Sequence, residues 1–391
     1  TASYTLPKSR PRGFDPIDAE NSVINIDGNG YTINNLMINR PFENNVGLVS
    51  IMEGGQVKNL KLNGRVRGYD NTGGIIGSAK SATAESLEFQ GFVIGQDSTG
   101  GVIGKMSGGV VNKAYSTARV NGARQVGGVV GALTDTEQKS VLRESYSKGS
   151  LDTTISGSKN IGGLVGSVRD SDVKNSYSQG YILPVNQDSS RIGGIVGEST
   201  GNSEISSVYS VVSVLTVGTE STIDGLGGIS GYNKAATVKN GYWASDVGID
   251  TSNGVGTNEN GTVNNVSSRT ASEMLTNSPQ SMDRFDFDDV WRNSENEYPK
   301  LQSEFDKFNL TLVIRNEAGN ELESPIVTIK DKDGAEVASV EPDQSNRIET
   351  TFELTNGNYV AEVTTAADSG ETSVSLADDR EVSVVLGGDD S

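Results

Sequence analysis

The stretch RIGGIVGES, residues 191–199, decides the fold, because close copies of its centre recur down the chain. The copies are GGIIG with Gly73, Gly74 and Gly77, GGVIG with Gly100, Gly101 and Gly104, and GGVVG with Gly127, Gly128 and Gly131. GGLVG follows with Gly162, Gly163 and Gly166, then GGIVG with Gly193, Gly194 and Gly197, and GGISG with Gly227, Gly228 and Gly231. VGLVS at 46–50 is an earlier relative. The first four starts, at 46, 73, 100 and 127, are 27 residues apart; the later starts, at 162, 193 and 227, follow at 35, 31 and 34. A second landmark falls between the copies: AYS at 114–116, SYS at 145–147 and 176–178, VYS at 208–210 and GYW at 241–243. Two landmarks at a nearly fixed offset mean one structural unit repeated, with length changes confined to loops.

Each unit reads as two or three short strands. The apolar pair closed by glycines is a short buried run, and segments such as VKNSYSQGYI (173–182) alternate as a strand does. A unit of this size cannot bury its apolar face alone, whereas stacked copies can, each strand pairing with its counterpart in the next coil. The expected architecture is a parallel β-solenoid of about eight coils, on the order of 40 Å long. Two reasons are expected for the glycines: positive φ at sharp corners, and close approach of neighbouring backbones. A phosphate loop would instead place a single GxGxxG or GxxxxGK[ST] between a strand and a helix, and no basic P-loop residue follows any copy.

Composition narrows the chemistry. The chain has 391 residues, 34% of them hydrophobic and 6% aromatic, with 48 glycines and a formal net charge of −19. That charge argues against binding nucleic acid phosphates and favours solubility. There is no cysteine and no histidine, which removes disulfides, Ser-His-Asp and Cys-His nucleophile systems, and zinc sites built on imidazole or thiolate. No metal or cofactor is expected. No apolar run approaches the roughly 20 residues of a membrane span. The first residue is Thr1, which is expected of a processed N-terminus or an excised fragment.

With these residues in place, most of 20–303 resembles the GLUG-motif repeat proteins, named for repeats of the form Gly-Leu-aliphatic-Gly. INIDGNGYTINNLMINR (24–40) looks like that family's entry coil, and FDFDDVWRNSENEYPKL (285–301) is similar to its Phe-Asp-Phe…Val-Trp…Tyr-Pro-x-Leu ending. The resemblance implies a secreted or surface-attached bacterial or archaeal protein, such as an adhesin or the non-catalytic region of a surface protease. The protease itself would need HExxH, which a chain without histidine lacks.

After Leu301 the pattern changes. LTLVIRNEAGNELESPIVTIKDKDGAEVASV (310–340), TTFELTNGNYVAEVTTA (350–366) and VSLADDREVSVVLGG (374–388) read as short strands separated by NG or DG turns. The order resembles carboxypeptidase regulatory-like or prealbumin-like sandwiches. Two domains are therefore expected: a solenoid over 1–303 with an entry coil and a C-terminal cap, and a β-sandwich over 304–391. EFDKF (304–308) is too short for a flexible linker, so the sandwich is expected close to the last coil. DKDG (331–334) lacks the further ligands of a calcium loop and reads as a hairpin turn, as does DGNG (27–30).

Catalysis would require carboxylates at equivalent strand positions of adjacent coils, as in sugar-cleaving β-helices. None is expected: Asp70, Asp97, Asp135, Asp170, Asp172, Asp188 and Glu198 are read as solvated acids lying mostly in the variable loops. Tyr115, Tyr146, Tyr177 and Tyr209 could form an exposed platform for sugars or a structural stack between coils, and the second is favoured. Asn260, Asn265 and Asn309 stand in N-x-[ST] sequons and are candidate glycosylation sites. SEMLTNSP (272–279) is expected as a helix with Ser272 as N-cap and Pro279 as stop, covering the open last coil. Affinity is expected in three long departures from the 27-residue spacing, LTDTEQKS (133–140), PVNQDSS (184–190) and VGTESTIDG (217–225).

These readings point to a non-enzymatic extracellular protein displayed on a cell surface or filament, used in attachment or assembly. Its expected partners are surface glycans or glycoproteins, or copies of itself, with no nucleic acid and no membrane insertion in this segment. A virion spike or tail component, and a polysaccharide lyase or glycosidase, are the alternatives.

Overall fold

A computed structural model describes residues 3–5, 12–20, 22–153, 158–184, 189–215, 223–249, 251–276, 278–293, 296–304, 307–316, 322–331, 334–355, 357–366, 368–376 and 380–386. The chain divides into two compact units, Thr1–Leu301 and Gln302–Ser391.

The first unit is a parallel β-solenoid of about seven turns, one fewer than expected. Its coils hold more strand segments than the two or three read from the sequence. In one coil, Arg124–Gly127 leads into the Gly-Gly turn, and Val130–Thr134, Ser140–Arg143, Tyr146–Ser147 and Ser150–Thr153 follow. Pairing from coil to coil is in register: Gly73, Gly100, Gly127, Gly162, Gly193 and Gly227 are successive partners. So are Ile76, Ile103, Val130, Val165 and Val196. The two residues between the glycines of every copy are buried, Ser230 included, and their aliphatic members form one continuous core. Each inward rung lies about 4.8 Å from the next, so apolar surface is covered by neighbouring coils and not within the coil itself.

One expectation about the glycines needs correction. None of the repeat glycines has a positive φ. The left-handed corner lies two residues before each pair and is held by Asn71, Ser98, Gln125, Asn160 and Arg191, with φ between 50° and 60°, and by Gly225. Close approach alone explains the motif. A Cβ on Gly100 would lie 2.0 Å from the Ile103 carbonyl oxygen, and one on Gly104 would lie 2.4 Å from the Asn71 carbonyl carbon in the preceding coil. A Cβ on Gly101 would lie 2.1 Å from the Gly128 carbonyl oxygen and 2.3 Å from Ser116 Oγ. The Gly-Gly and Tyr-Ser landmarks therefore meet across the coil interior.

The helix also differs from expectation. It spans Ala271–Thr276, and its N-cap is Thr270, not Ser272. The Thr270 hydroxyl accepts from the Glu273 N–H at 3.2 Å, and the Glu273 carboxylate accepts from the Thr270 N–H at 2.7 Å, a capping box. Pro279 lies inside a second short helix, Ser278–Ser281, in place of ending the first. Among the described residues, the last coil's strands Val255–Glu259 and Thr262–Arg269 pair on one side only and remain largely exposed. The helical segment packs on a lateral face instead, as described below. Among the described residues no helix is long and apolar enough to cross a membrane.

The second unit contains a four-stranded antiparallel sheet and a three-stranded sheet in which Lys307–Asn316 pairs antiparallel with Arg347–Thr355 and parallel with Arg380–Leu386. Leu312 and Ile314 from one sheet, and Val327, Ile329 and Val363 from the other, share a single core, which makes a small β-sandwich. The DKDG turn joins Ile326–Lys330 to Glu336–Val340. Asp331 accepts from the Ala335 N–H at 2.9 Å and Gly334 has φ 82°, the geometry of a turn; Lys332 and Asp333 lie outside the described residues. In DGNG, Asn29 and Gly30 both have positive φ and the Tyr31 N–H reaches the Gly28 carbonyl at 2.8 Å, a turn of type I′.

Candidate functional site

The tyrosine column is a stack. Ring centroids are 4.5 Å apart for Tyr115 and Tyr146, 5.1 Å for Tyr146 and Tyr177, and 4.8 Å for Tyr177 and Tyr209. In-register parallel pairing places one ring above the next. The described residues of 271–301 lie over this face: Met274, Met282, Phe285, Trp291 and Leu301 bury Tyr177, Tyr209 and Tyr242. The Tyr209 hydroxyl donates to the Pro299 carbonyl at 2.5 Å, and that of Tyr242 donates to Asp283 at 3.0 Å. Burial, followed by the Asp283 hydrogen bond, holds the Tyr242 phenol above its ordinary value, so it stays a donor. Three of the column's rings are thus closed to a ligand by the protein's own chain. Tyr115 and Tyr146 are half-buried, and the Lys148 ammonium lies 4.3 Å from the Tyr146 ring centroid.

One pair of carboxylates does occupy equivalent strand positions of adjacent coils, which corrects the expectation above. Asp172 and Glu204 are strand partners in adjacent coils. Lys139 reaches Asp172 at 3.1 Å, Lys174 reaches both carboxylates at 3.4 Å, and Lys239 reaches Glu204 at 2.8 Å. Desolvation pushes the Glu204 carboxyl up, but the Lys239 and Ser206 hydrogen bonds and the lysine charges outweigh it and hold the group below its ordinary value. Desolvation likewise opposes the charge on Lys174, yet Asp172 and Glu204 carry it above the usual lysine value. A general acid needs a raised carboxyl and a lysine base needs a lowered ammonium; this network pushes both the other way.

A second cluster joins Asp70, Asp97 and Arg124. Arg124 grips Asp97 with both ends of its fork, at 2.7 and 2.6 Å, and the Asp97 N–H donates to Asp70 at 3.3 Å. Desolvation and the Asp97 charge raise the Asp70 carboxyl above its ordinary value, against the Asp97 N–H and Arg124. Asp97 and Glu198 also lie on strands. Glu198 binds Arg191 and accepts from Asn160 at 2.7 Å, while Arg191 lies 4.0 Å from the Tyr232 ring centroid. Asp170 occupies a left-handed corner (φ 48°) and accepts from the Asn202 N–H at 2.7 Å. Asp135 is exposed in a loop, as expected. Asp188 lies outside the described residues. Among the described residues no three acidic side chains converge on a metal position.

The sequon residues Asn260 and Asn265 hold left-handed corners of the last coil, with φ 59° and 53°, and both are exposed. Asn265 Nδ2 donates to Asn240 Oδ1 at 3.3 Å, in the corner one coil earlier. A backbone requirement thus accounts for asparagine at both positions. Asn309 is paired with Glu353 in the sandwich, and its side chain lies outside the described residues.

Of the first long loop, Leu133 and Ser140 are buried strand residues and Asp135–Gln138 form the exposed part. Lys139 ties the loop's base to Asp172. In the other two loops, residues 185–188 and 217–222 lie outside the described residues. Neither a protein-family model nor a curated protein sequence matches the chain.

Proposed function

We propose that the chain is a non-enzymatic extracellular protein, displayed on a cell surface or filament, that serves attachment or assembly through GLUG-type coils. Its partners are surface glycans or glycoproteins, or further copies of itself. The observation that carries this reading is the lysine clamp on Asp172 and Glu204. The carboxylate pair that the coil register brings together is clamped by lysines across three successive coil steps, which braces a scaffold, and Glu204 is held below its ordinary value, the opposite of what a proton donor needs. The exposed loop Asp135–Gln138 beside that clamp supplies a polar recognition element on a rigid base. Replacing 135–138 by one glycine, which leaves two residues where the preceding coil has Gly108 alone, should leave melting unchanged and weaken attachment to the native surface. Turnover of any member of a polysaccharide panel would overturn the reading.

One observation favours a polysaccharide-cleaving enzyme instead: Asp70 is a carboxyl held above its ordinary value by desolvation and by the neighbouring Asp97, which Arg124 grips at 2.7 Å. That pairing has the charge pattern of an acid and its partner. If it operates, Asp70→Asn abolishes turnover on the same panel; absence of turnover in the unmodified chain removes this alternative.

A further inference from the structure

The segment that closes each coil carries an outward column whose members pair in register: Met37, Arg65, Phe92, Arg119, Ser150 and Tyr181. Met37 is 45% exposed, Phe92 47% and Tyr181 55%, so the apolar members are open to solvent. The Arg65 guanidinium lies 5.8 Å from the Phe92 ring centroid. Arg67, two residues along the same strand, is also exposed, and neither Arg65 nor Arg67 has an ion-pair partner among the described residues. Arg119 pairs with Asp152, which is 4% exposed and whose second oxygen has no hydrogen-bond partner. On a chain of net charge −19, this face is an island of three guanidiniums against one buried acid.

We infer that this face binds a linear anionic polysaccharide, one bearing a carboxylate or sulfate on each sugar or nearly so. The inference rests on the attachment reading and gives it a ligand class and a place. Rings and guanidiniums recur along the column at the coil rise of about 4.8 Å. That rise is comparable to the length of a pyranose ring, so successive sugars running along the solenoid can meet successive rungs. Arginine forks bind carboxylate and sulfate bidentately, and aromatic faces stack on the apolar faces of sugars. A nucleic acid fits less well. Its charges recur at about 1.7 Å in the duplex, and the field of the whole chain opposes so dense a polyanion.

The test uses the full chain with polygalacturonate, and neutral dextran, single-stranded poly-dT and phosphatidylglycerol vesicles as comparison arms, at about 50 mM salt. The expected result is binding to polygalacturonate that weakens as salt rises, and none to dextran. Arg65→Ser with Arg67→Ser, and separately Phe92→Ser, should each lower that affinity about tenfold while leaving the melting temperature unchanged. Arg119 is left intact because its removal would strand Asp152 and could unfold the chain. The inference is overturned by lack of polygalacturonate binding, by binding that ignores these variants, or by preference for poly-dT or vesicles. A chain that attaches to its native surface without binding polygalacturonate overturns this inference alone. Turnover of polygalacturonate overturns the non-enzymatic reading and leaves the face in place.

Discussion

At Gly128 a methyl group would lie 2.1 Å from Ser147 Oγ and 2.3 Å from the Gly163 carbonyl oxygen. The second contact is backbone, so no rotamer change relieves it. Gly128→Ala is expected to cost more than about 3 kcal/mol, and adding Ser147→Gly should not restore stability. Near-full recovery in the double variant would contradict the close-approach account of the motif. Val165 is fully buried between Val130 and Val196, so Val165→Asp places an unpaired charge in the core and is expected to cost more than about 4 kcal/mol. Asp170→Ser, at an acid read from the sequence as solvated, should cost about 1 kcal/mol, because its carboxylate holds the Asn202 N–H at a left-handed corner. Melting temperatures of the two variants check both statements. The sequence displayed the need for glycine but not its cause. Corners occupied by Gln125 or Arg191 carry no turn signature, so the left-handed positions were not legible.

At the scale of elements, the cap over the tyrosine column is held chiefly by Trp291, which is fully buried against Tyr177 and Tyr209 at centroid distances of 6.2 and 5.5 Å. Trp291→Ala should cost about 3–5 kcal/mol and open Tyr177 and Tyr209 to nitration by tetranitromethane. Unchanged nitration would show that the cap does not protect the column. The lysine clamp gives a pH signature. Glu204 lies below its ordinary value in the folded chain, so its stabilising contribution is complete above the ordinary carboxylate range. It is lost as pH falls through the depressed folded value. Glu204→Gln should therefore flatten the acid limb of a melting temperature against pH profile, and an unaltered slope would dispose of the clamp. The repeated Tyr-Ser landmark foretold a stacked column, and the aromatic segment 285–301 had no coil position of its own, which is the signal that it covers something. Its target was not legible, because a cap lying along a lateral face leaves no spacing relation with the rungs it crosses. The strand pairing of Asp172 with Glu204 was legible and was missed: each stands five residues before the tyrosine of its coil, Tyr177 or Tyr209, and so falls on the same rung.

At the scale of the solenoid unit, in-register stacking sets which chemistry can exist, since a side chain's neighbours are its counterparts one coil away. That rule turns Gly-Gly-aliphatic-aliphatic-Gly into a column of close backbone contacts, Tyr-Ser into a ring stack, and scattered acids into either clamped pairs or isolated surface groups. Repeats and apolar pairs made the solenoid legible, and short strands with Gly-containing turns did the same for the sandwich. The exposed cationic column was legible too, since Arg65, Phe92 and Arg119 stand 27 residues apart like the early repeats, but the reading followed only the glycine and tyrosine landmarks. The most direct test of the stacking register uses the absence of native cysteine. Glu53 and Lys80 are exposed partners in adjacent coils, and Ser107 is the partner of Lys80 one coil further on. Partners across a parallel pair lie about 4.8 Å apart, within the disulfide range, whereas two coil steps exceed it. Under mild oxidation Glu53→Cys with Lys80→Cys should close quantitatively to an intramolecular disulfide, and Glu53→Cys with Ser107→Cys should stay reduced as a monomer. Closure of the second pair, or failure of the first in a folded chain, would contradict the register on which the account rests.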